Sequence, residues 1–311
     1  MAELSHRQEN LYAVGYAGDS LNTLWYARAV SDARKVKTKF VSAVGTDELS
    51  ENFMSLLSAN NIDASAVIRR ENRTIGLYLI SLDAHGERSF TYWRSQSAAR
   101  TLADSPSVLS ANLDGVDCIF FSGITLAILD RQQRQTLFDC LRVCKKNGAL
   151  IAFDSNFRPK LWESERAMID ATIQGYQVSS LALPTRQDEI SIFCDASDQS
   201  MVDRIRSYGV SEIVIKNGPA DCSVWIDEQR VIVPAVAVPQ PVDTTGAGDS
   251  FNGAYIASRL AGKTGQESAR AAHEIAAQVI MSRGALVEMS KLRNNRGQSP
   301  SSDHARPCHQ V

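Results

Sequence analysis

This chain of 311 residues is marked first by what it lacks. No apolar run approaches the roughly 20 residues that a membrane-spanning helix needs. The opening stretch 1–10 is polar and has no signal-peptide core, so a cytoplasmic protein is expected. Lysine and arginine (33) nearly balance aspartate and glutamate (35), which leaves a net charge of −2 and no basic footprint for nucleic acid. The six cysteines form no CxxC pair; Cys140 and Cys144 lie four apart without a histidine or second pair beside them, so neither a zinc site nor a disulfide framework is indicated. No internal repeat is present.

With 44% hydrophobic residues, the chain can build one large core. Short apolar runs at 40–44, 118–122, 149–154, 177–183 and 212–216 alternate with amphipathic stretches such as 48–60, 131–146 and 163–174. That rhythm predicts a doubly wound, mostly parallel α/β sheet with ligands beyond the carboxyl ends of the strands. Two extended runs, 74–81 and 88–94, interrupt it. The turn-rich link 83–87 joins them as a hairpin, and 12–16 offers a further strand. A small sheet projecting from an α/β core suits a lid that keeps water from a phosphoryl donor. From Ser290 onward the sequence is polar and is expected to be disordered. The expected division is a domain at 1–290, with the lid from about 8–18 and 67–95, and a tail at 291–311.

The most specific segment is Asp243-Thr244-Thr245-Gly246-Ala247-Gly248-Asp249-Ser250-Phe251. A glycine turn runs into a helical pattern. First-turn amides lack internal partners and carry partial positive charge, which suits a phosphate or an oxyanion. An Asp beside them can take a proton from a hydroxyl, as phosphoryl transfer to an alcohol requires. A lone GxGD would more often be only a cap and a turn. Gly262-Lys263-Thr264 is not a phosphate loop, because the first glycine of that pattern would fall on Ala257 and the tripeptide follows a helix; Gly262 reads as a helix C-cap. His273, alone on a helix, reads as packing.

The whole string DTTGAGDSF resembles the C-terminal signature of the ribokinase-like (PfkB) family of sugar kinases. Further segments carry the resemblance from about residue 3 to 287: AGDSLNT at 17–23, GERSFTYWR at 86–94, SGITLAIL at 122–129 and DSNFRPKLW at 154–162. The resemblance implies a three-layer α/β/α fold with a small β-sheet lid that often pairs between subunits, hence a homo-oligomer. It implies ATP and Mg²⁺ as cofactors, Asp249 as catalytic base, and the amides of Gly246, Ala247 and Gly248 as the anion hole. Gly18, Asp19, Asn22, Tyr78, Tyr92, Arg94 and Arg158 match substrate positions of the sugar-acid branch, whose substrates are 2-keto-3-deoxy sugar acids. Ala17 replaces a glycine of that branch. Lys216 and Gly218 match a nucleotide-side K-x-G. Thr185 stands for an asparagine on the same side, and Asp188 or Glu189 must serve the Mg²⁺ hydration shell; no direct protein ligand to the metal is expected.

Two arginines at one site suit a carboxylate through paired hydrogen bonds. A neutral sugar such as fructose, or a non-catalytic sugar-binding relative, is the alternative. Family members also have an apolar strand and a Gly-Glu step ahead of the segment matching Glu3-Leu4-Ser5. Without that strand, its neighbours inside the sheet are expected to leave backbone groups unpaired, at roughly 1–3 kcal/mol for each one buried.

Overall fold

The computed structural model describes residues 1–8, 11–82 and 88–294. A six-stranded sheet runs in the order Gln229–Val233, Cys222–Ile226, Glu212–Ile215, Leu181–Ala182, Leu150–Asp154, Cys118–Ser122. The last four strands are parallel, and the first two add an antiparallel hairpin at one edge. Side chains alternate between the faces of a strand, and that alternation splits the core in two. Ala152, Leu181 and Val214 pack with helices Asp19–Val30, Ala247–Leu260 and Gly265–Val279 on one face. Ile151, Phe153, Ala182 and Ile213 pack with Pro106–Leu113, Arg131–Lys146, Glu165–Val178 and Asp198–Ser207 on the other. This is the expected three-layer α/β/α arrangement.

Two expected elements differ. The segment 177–183 is not one strand: Gln177 and Val178 finish helix Glu165–Val178, and only Leu181–Ala182 joins the sheet. The segment 40–44 contributes Ser42–Val44, which pairs with Val67–Arg69 outside the main sheet. Among the described residues, Cys118–Ser122 forms the other edge of that sheet, and no strand pairs along its outer side.

The lid is larger than expected at its start. Its four strands run Leu11–Tyr16, Ala2–Gln8, Leu77–Leu82, Arg88–Trp93. Ala2–Gln8 lies between two partners, antiparallel to Leu11–Tyr16 and parallel to Leu77–Leu82. The short polar run 5–8 hides this strand from a search for apolar patterns, although Ala2 and Leu4 alternate with Glu3 and Ser5. The link 83–87 lies outside the described residues, as does 295–311. At the other end, helix Met289–Asn294 extends the ordered chain past the expected boundary at 290, because Leu292 is buried in the first core cluster.

The packing of helix Asp19–Val30 on Ala247–Leu260 positions the site. Gly253 makes it possible: a Cβ there would stand 2.2 Å from Thr23 O and 2.8 Å from Ala27 N. Backbone cannot yield to that contact, so the two helices meet at a separation only glycine allows. Among the described residues no helix is long and apolar enough to cross a membrane. Gly262 takes φ 80° after a helix end, and Thr264 caps the next helix, as expected of a cap and not a phosphate loop.

Candidate active site

Helix Ala247–Leu260 begins at Gly246, whose φ of 78° is in the left-handed region that favours glycine. A Cβ at Gly246 would also press to 2.9 Å from Ala285 O. No side chain caps this helix end. The Ala247 amide is drawn into the turn by Thr244 O at 3.2 Å, so of the three expected anion-hole residues it is the least available. Gly248 is exposed and opens the first turn to a ligand. The turn is held from below by Asp243. Its Oδ1 accepts from the Thr245 amide (3.0 Å) and hydroxyl (2.7 Å), and its Oδ2 accepts from the Gly284 amide (2.8 Å). Tyr26 donates to Ala285 O at 2.6 Å, which ties the 283–285 segment to helix Asp19–Val30.

Asp249 lies in the first turn of its helix. Asn22 Nδ2 donates to its Oδ2 at 2.8 Å. The residue keeps some contact with solvent, but its carboxyl group is enclosed. Burial, and then the neighbouring Asp19, push its pKa up to about 7, while Asn22 and Lys216 pull it down. A carboxyl with that pKa is partly protonated and partly charged near pH 7.

The substrate-side residues gather around it. Gly18 has φ 147°, which lets the chain turn into helix Asp19–Val30, and its amide reaches Asn22 Oδ1 at 3.3 Å. Asp19 Oδ2 accepts from the Ser122 hydroxyl and from Asn156 Nδ2 at 3.0 Å. Burial raises the Asp19 pKa against these bonds. The methyl of Ala17, where the branch has glycine, is buried against Tyr78 and Ala285.

From the lid, Tyr78 and Tyr92 face each other in register with ring centroids 5.9 Å apart. The Tyr78 hydroxyl donates to Glu3 on the adjacent strand, so this expected substrate contact is already engaged. The Arg94 guanidinium stands 4.2 Å from the Tyr92 ring centroid. Burial lowers the Arg94 pKa, with Tyr92 and Asp19 acting the other way and Arg158 reinforcing it. The two guanidiniums are therefore near enough to repel. Arg158 bonds the Phe157 carbonyl at 2.6 Å. Among the described residues, neither arginine has a carboxylate partner within ion-pair distance.

On the nucleotide side, Thr185 bridges to Lys216 in parallel backbone pairing. Gly218 has φ 57° and open space where a Cβ would be. The choice between Asp188 and Glu189 is narrowed by packing. Glu189 is fully buried and is bonded by Tyr176 and Arg204. Asp188 is half-buried; burial raises its pKa, and the charges of Arg158, Asp154 and Lys216 all act on it. Asp188 is thus the acid within electrostatic reach of Asp154 and Lys216. Among the described residues, no three His, Cys, Asp or Glu side chains are grouped to hold a metal ion. His273 packs edge-on against Phe251 at 5.1 Å.

Ser122, Asp154 and Asn156 lie in the segments 122–129 and 154–162 that carry the resemblance but were given no role of their own, and Asn252 was not singled out from sequence. Asp154 ends an apolar strand, which is a usable signal. Asn252 Nδ2 donates to Asp154 across 98 residues of chain, which no local pattern reveals.

The model of the pfkB family carbohydrate kinases matches residues 3–292. A 2-dehydro-3-deoxygluconokinase of Escherichia coli K12 is 37% identical over 292 residues, covering 92% of this chain and 94% of the relative. Among solved structures, a 2-dehydro-3-deoxygluconokinase of Thermotoga maritima superposes with a TM-score of 0.81 at 20% identity, covering 96% of this chain and 97% of that one. A ribokinase II candidate of Escherichia coli, in complex with ATP and Mg²⁺, gives 0.82 at 19% identity, covering 95% and 96%.

Asp249→Asn tests the electrostatics without activity. A carboxyl whose folded pKa is raised stabilises the fold fully below its ordinary pKa of 3.8, and that contribution is lost as pH rises through about 7. An asparagine oxygen can still accept the Asn22 bond. The variant's melting temperature should therefore gain on the wild type between pH 4 and 7 and hold that gain above. Parallel curves from pH 4 to 8 would contradict the raised pKa.

Proposed function

Because the chain belongs to the pfkB family of carbohydrate kinases, we propose that it moves the γ-phosphoryl group of ATP to the terminal hydroxyl of 2-keto-3-deoxy-D-gluconate, giving 2-keto-3-deoxy-6-phosphogluconate. The observation that carries the substrate class is the pair Arg94 and Arg158, two guanidiniums beside the site with no carboxylate within ion-pair distance among the described residues. A substrate carboxylate supplies what they lack, in the bidentate geometry that guanidinium favours. A neutral ketose would leave both guanidiniums without a bidentate partner. The relatives named 2-dehydro-3-deoxygluconokinase, matched over nearly the whole chain, support the same reading.

In this reading Arg94 and Arg158 hold the carboxylate, Tyr92 packs over the sugar-acid chain, and Asp19 and Asn22 receive its hydroxyls. Tyr78 shapes the pocket and reaches the substrate only by exchanging its bond to Glu3. The terminal hydroxyl then lies at Asp249, which takes its proton as the new O–P bond forms. The first-turn amides at Gly246–Gly248 face the phosphoryl oxygens, with the Ala247 amide released from Thr244 O to join them. The residues present fit a triphosphate: an uncapped helix end, an exposed Gly248, open space at Gly218, and the cation of Lys216. Thr185, Lys216 and Gly218 line the nucleotide side. Mg²⁺, when bound, neutralises phosphate charge, and Asp188 would orient its water shell.

The lid's outward face carries Tyr12, Val14 and Trp93 at 45%, 52% and 54% exposure. Their apolar surface suits a second copy of the same lid, in a protein working in the cytoplasm where ATP is supplied. Trp93→Glu should convert a dimer to monomers in sedimentation equilibrium, and a wild type monomeric at micromolar concentration would exclude this pairing.

The substrate reading is tested by kcat/KM for 2-keto-3-deoxygluconate and for fructose. The wild type should favour the acid. Arg94→Ala should cost the acid about 2–5 kcal/mol of binding, while fructose changes little. Preference for fructose, or equal losses on both sugars, would overturn the sugar-acid assignment.

A further inference from the structure

Asp154 has no part in the steps above, yet it is only 4% exposed and all its bonds point toward the site. Its Oδ2 accepts from Lys216 Nζ at 2.6 Å and from Asn252 Nδ2 at 2.7 Å, and its Oδ1 accepts from the Asn156 amide at 3.1 Å. These groups come from three places: the end of strand Leu150–Asp154, the residue after strand Glu212–Ile215, and helix Ala247–Leu260 three residues past Asp249. Asn252 is fully buried, and among the described residues its Oδ1 has no partner, so its amide is oriented through the bond to Asp154.

An ammonium has three donors. Among the described residues, Lys216 Nζ has one hydrogen-bond partner, Asp154. It stands 3.8 Å from the position a Cβ would take on Gly248, the exposed glycine of the helix turn. A flexible lysine free in solution would lose rotamer entropy on meeting a phosphoryl group. Here that ordering is already complete, with two donors left over beside the anion hole. A buried ion pair costs desolvation that its own attraction barely offsets, so a pair placed here for stability alone would be a poor choice.

We propose that Asp154 and Asn252 form a fixed seat that aims the Lys216 ammonium at the transferring phosphoryl group, so that Lys216 stabilises the transition state instead of merely retaining the nucleotide. The proposal rests on the kinase reading. In the step, the substrate hydroxyl gives its proton to Asp249 while its oxygen bonds to the γ-phosphorus. The bond from that phosphorus to the β–γ bridging oxygen breaks, and its electron pair leaves on ADP. Lys216 keeps its protons throughout; its charge and free N–H groups meet the phosphoryl oxygens as negative charge redistributes. Lys216 is the catalytic contact, and Asp154 and Asn252 are positioning residues.

The test compares wild type, Lys216→Met, Asp154→Asn and the double variant. It follows kcat, KM for ATP, melting temperature, and binding of ADP with and without aluminium fluoride, a mimic of the phosphoryl in transit. Lys216→Met should lower kcat by about 10²–10³-fold with KM for ATP within about threefold. Its affinity for ADP–aluminium fluoride should fall in parallel, while ADP alone binds as before. Asp154→Asn should lower kcat by about tenfold or more in the same pattern. Lys216→Met leaves Asp154 buried without its cation and should melt early; the double variant removes both charges and should recover stability but not turnover. A purely structural pair predicts the reverse, with turnover returning as stability does. That outcome would overturn the proposal, as would a loss confined to KM for ATP or an ADP–aluminium fluoride affinity unchanged in Lys216→Met. If the wild type does not phosphorylate the sugar acid, the substrate reading falls, and the aluminium fluoride binding still decides the role of Lys216.

Discussion

The hydrogen bond from Asn22 to Asp249 joins the first turns of two helices through residues 227 apart in sequence. Each helix brings one half of the proposed site: Asp19–Val30 carries Asp19 and Asn22, and Ala247–Leu260 carries the glycine turn and Asp249. The bond requires the helices to pack closely, and Gly253, against the backbone of Thr23 and Ala27, is what permits it. Tyr26 and Asp243 then fix the 283–285 segment to the same junction. The first turns of the two helices and the 283–285 segment are thus tied together, and Tyr78 of the lid packs there against Ala17 and Ala285.

That junction gathers negative charge. Asp19 and Asp154 both act on Asp249 and raise its pKa. Three carboxylates so placed would not all ionise in a dry site without compensation. Ser122 and Asn156 solvate Asp19, Asn22 solvates Asp249, and Lys216 with Asn252 balances Asp154. The acids are therefore not equivalent. Asp154 is held as a paired ion, whereas Asp249 is left with a single amide donor and a pKa near neutrality. Arg94 adds positive charge that Asp19 acts on, and Arg158 adds charge that acts on Asp188.

Much of this was legible in the sequence. The DTTGAGDSF string led to the turn, to Asp249 and to the exposed Gly248, and alternating apolar runs gave the layered sheet. The Tyr92 and Arg94 spacing placed both on one face of a lid strand. What stayed hidden was pairing over long range. Nothing near Asn252 indicates Asp154, and nothing near Glu3 indicates Tyr78. The first lid strand was missed because its outer half is polar, and a strand between two partners in a small open sheet need not be apolar along its length. The choice between Asp188 and Glu189 also needed packing, since only the fold shows Arg204 and Tyr176 closing on Glu189.

The central claim is that burial beside Asp19 makes Asp249 a base poised near neutral pH. The direct measurement is kcat/KM for 2-keto-3-deoxygluconate against pH in the wild type. The account predicts an acidic limb with an apparent pKa near 7, reporting Asp249 in the free enzyme. A profile that stays flat down to pH 5 would show an ordinary carboxylate at that position and contradict it.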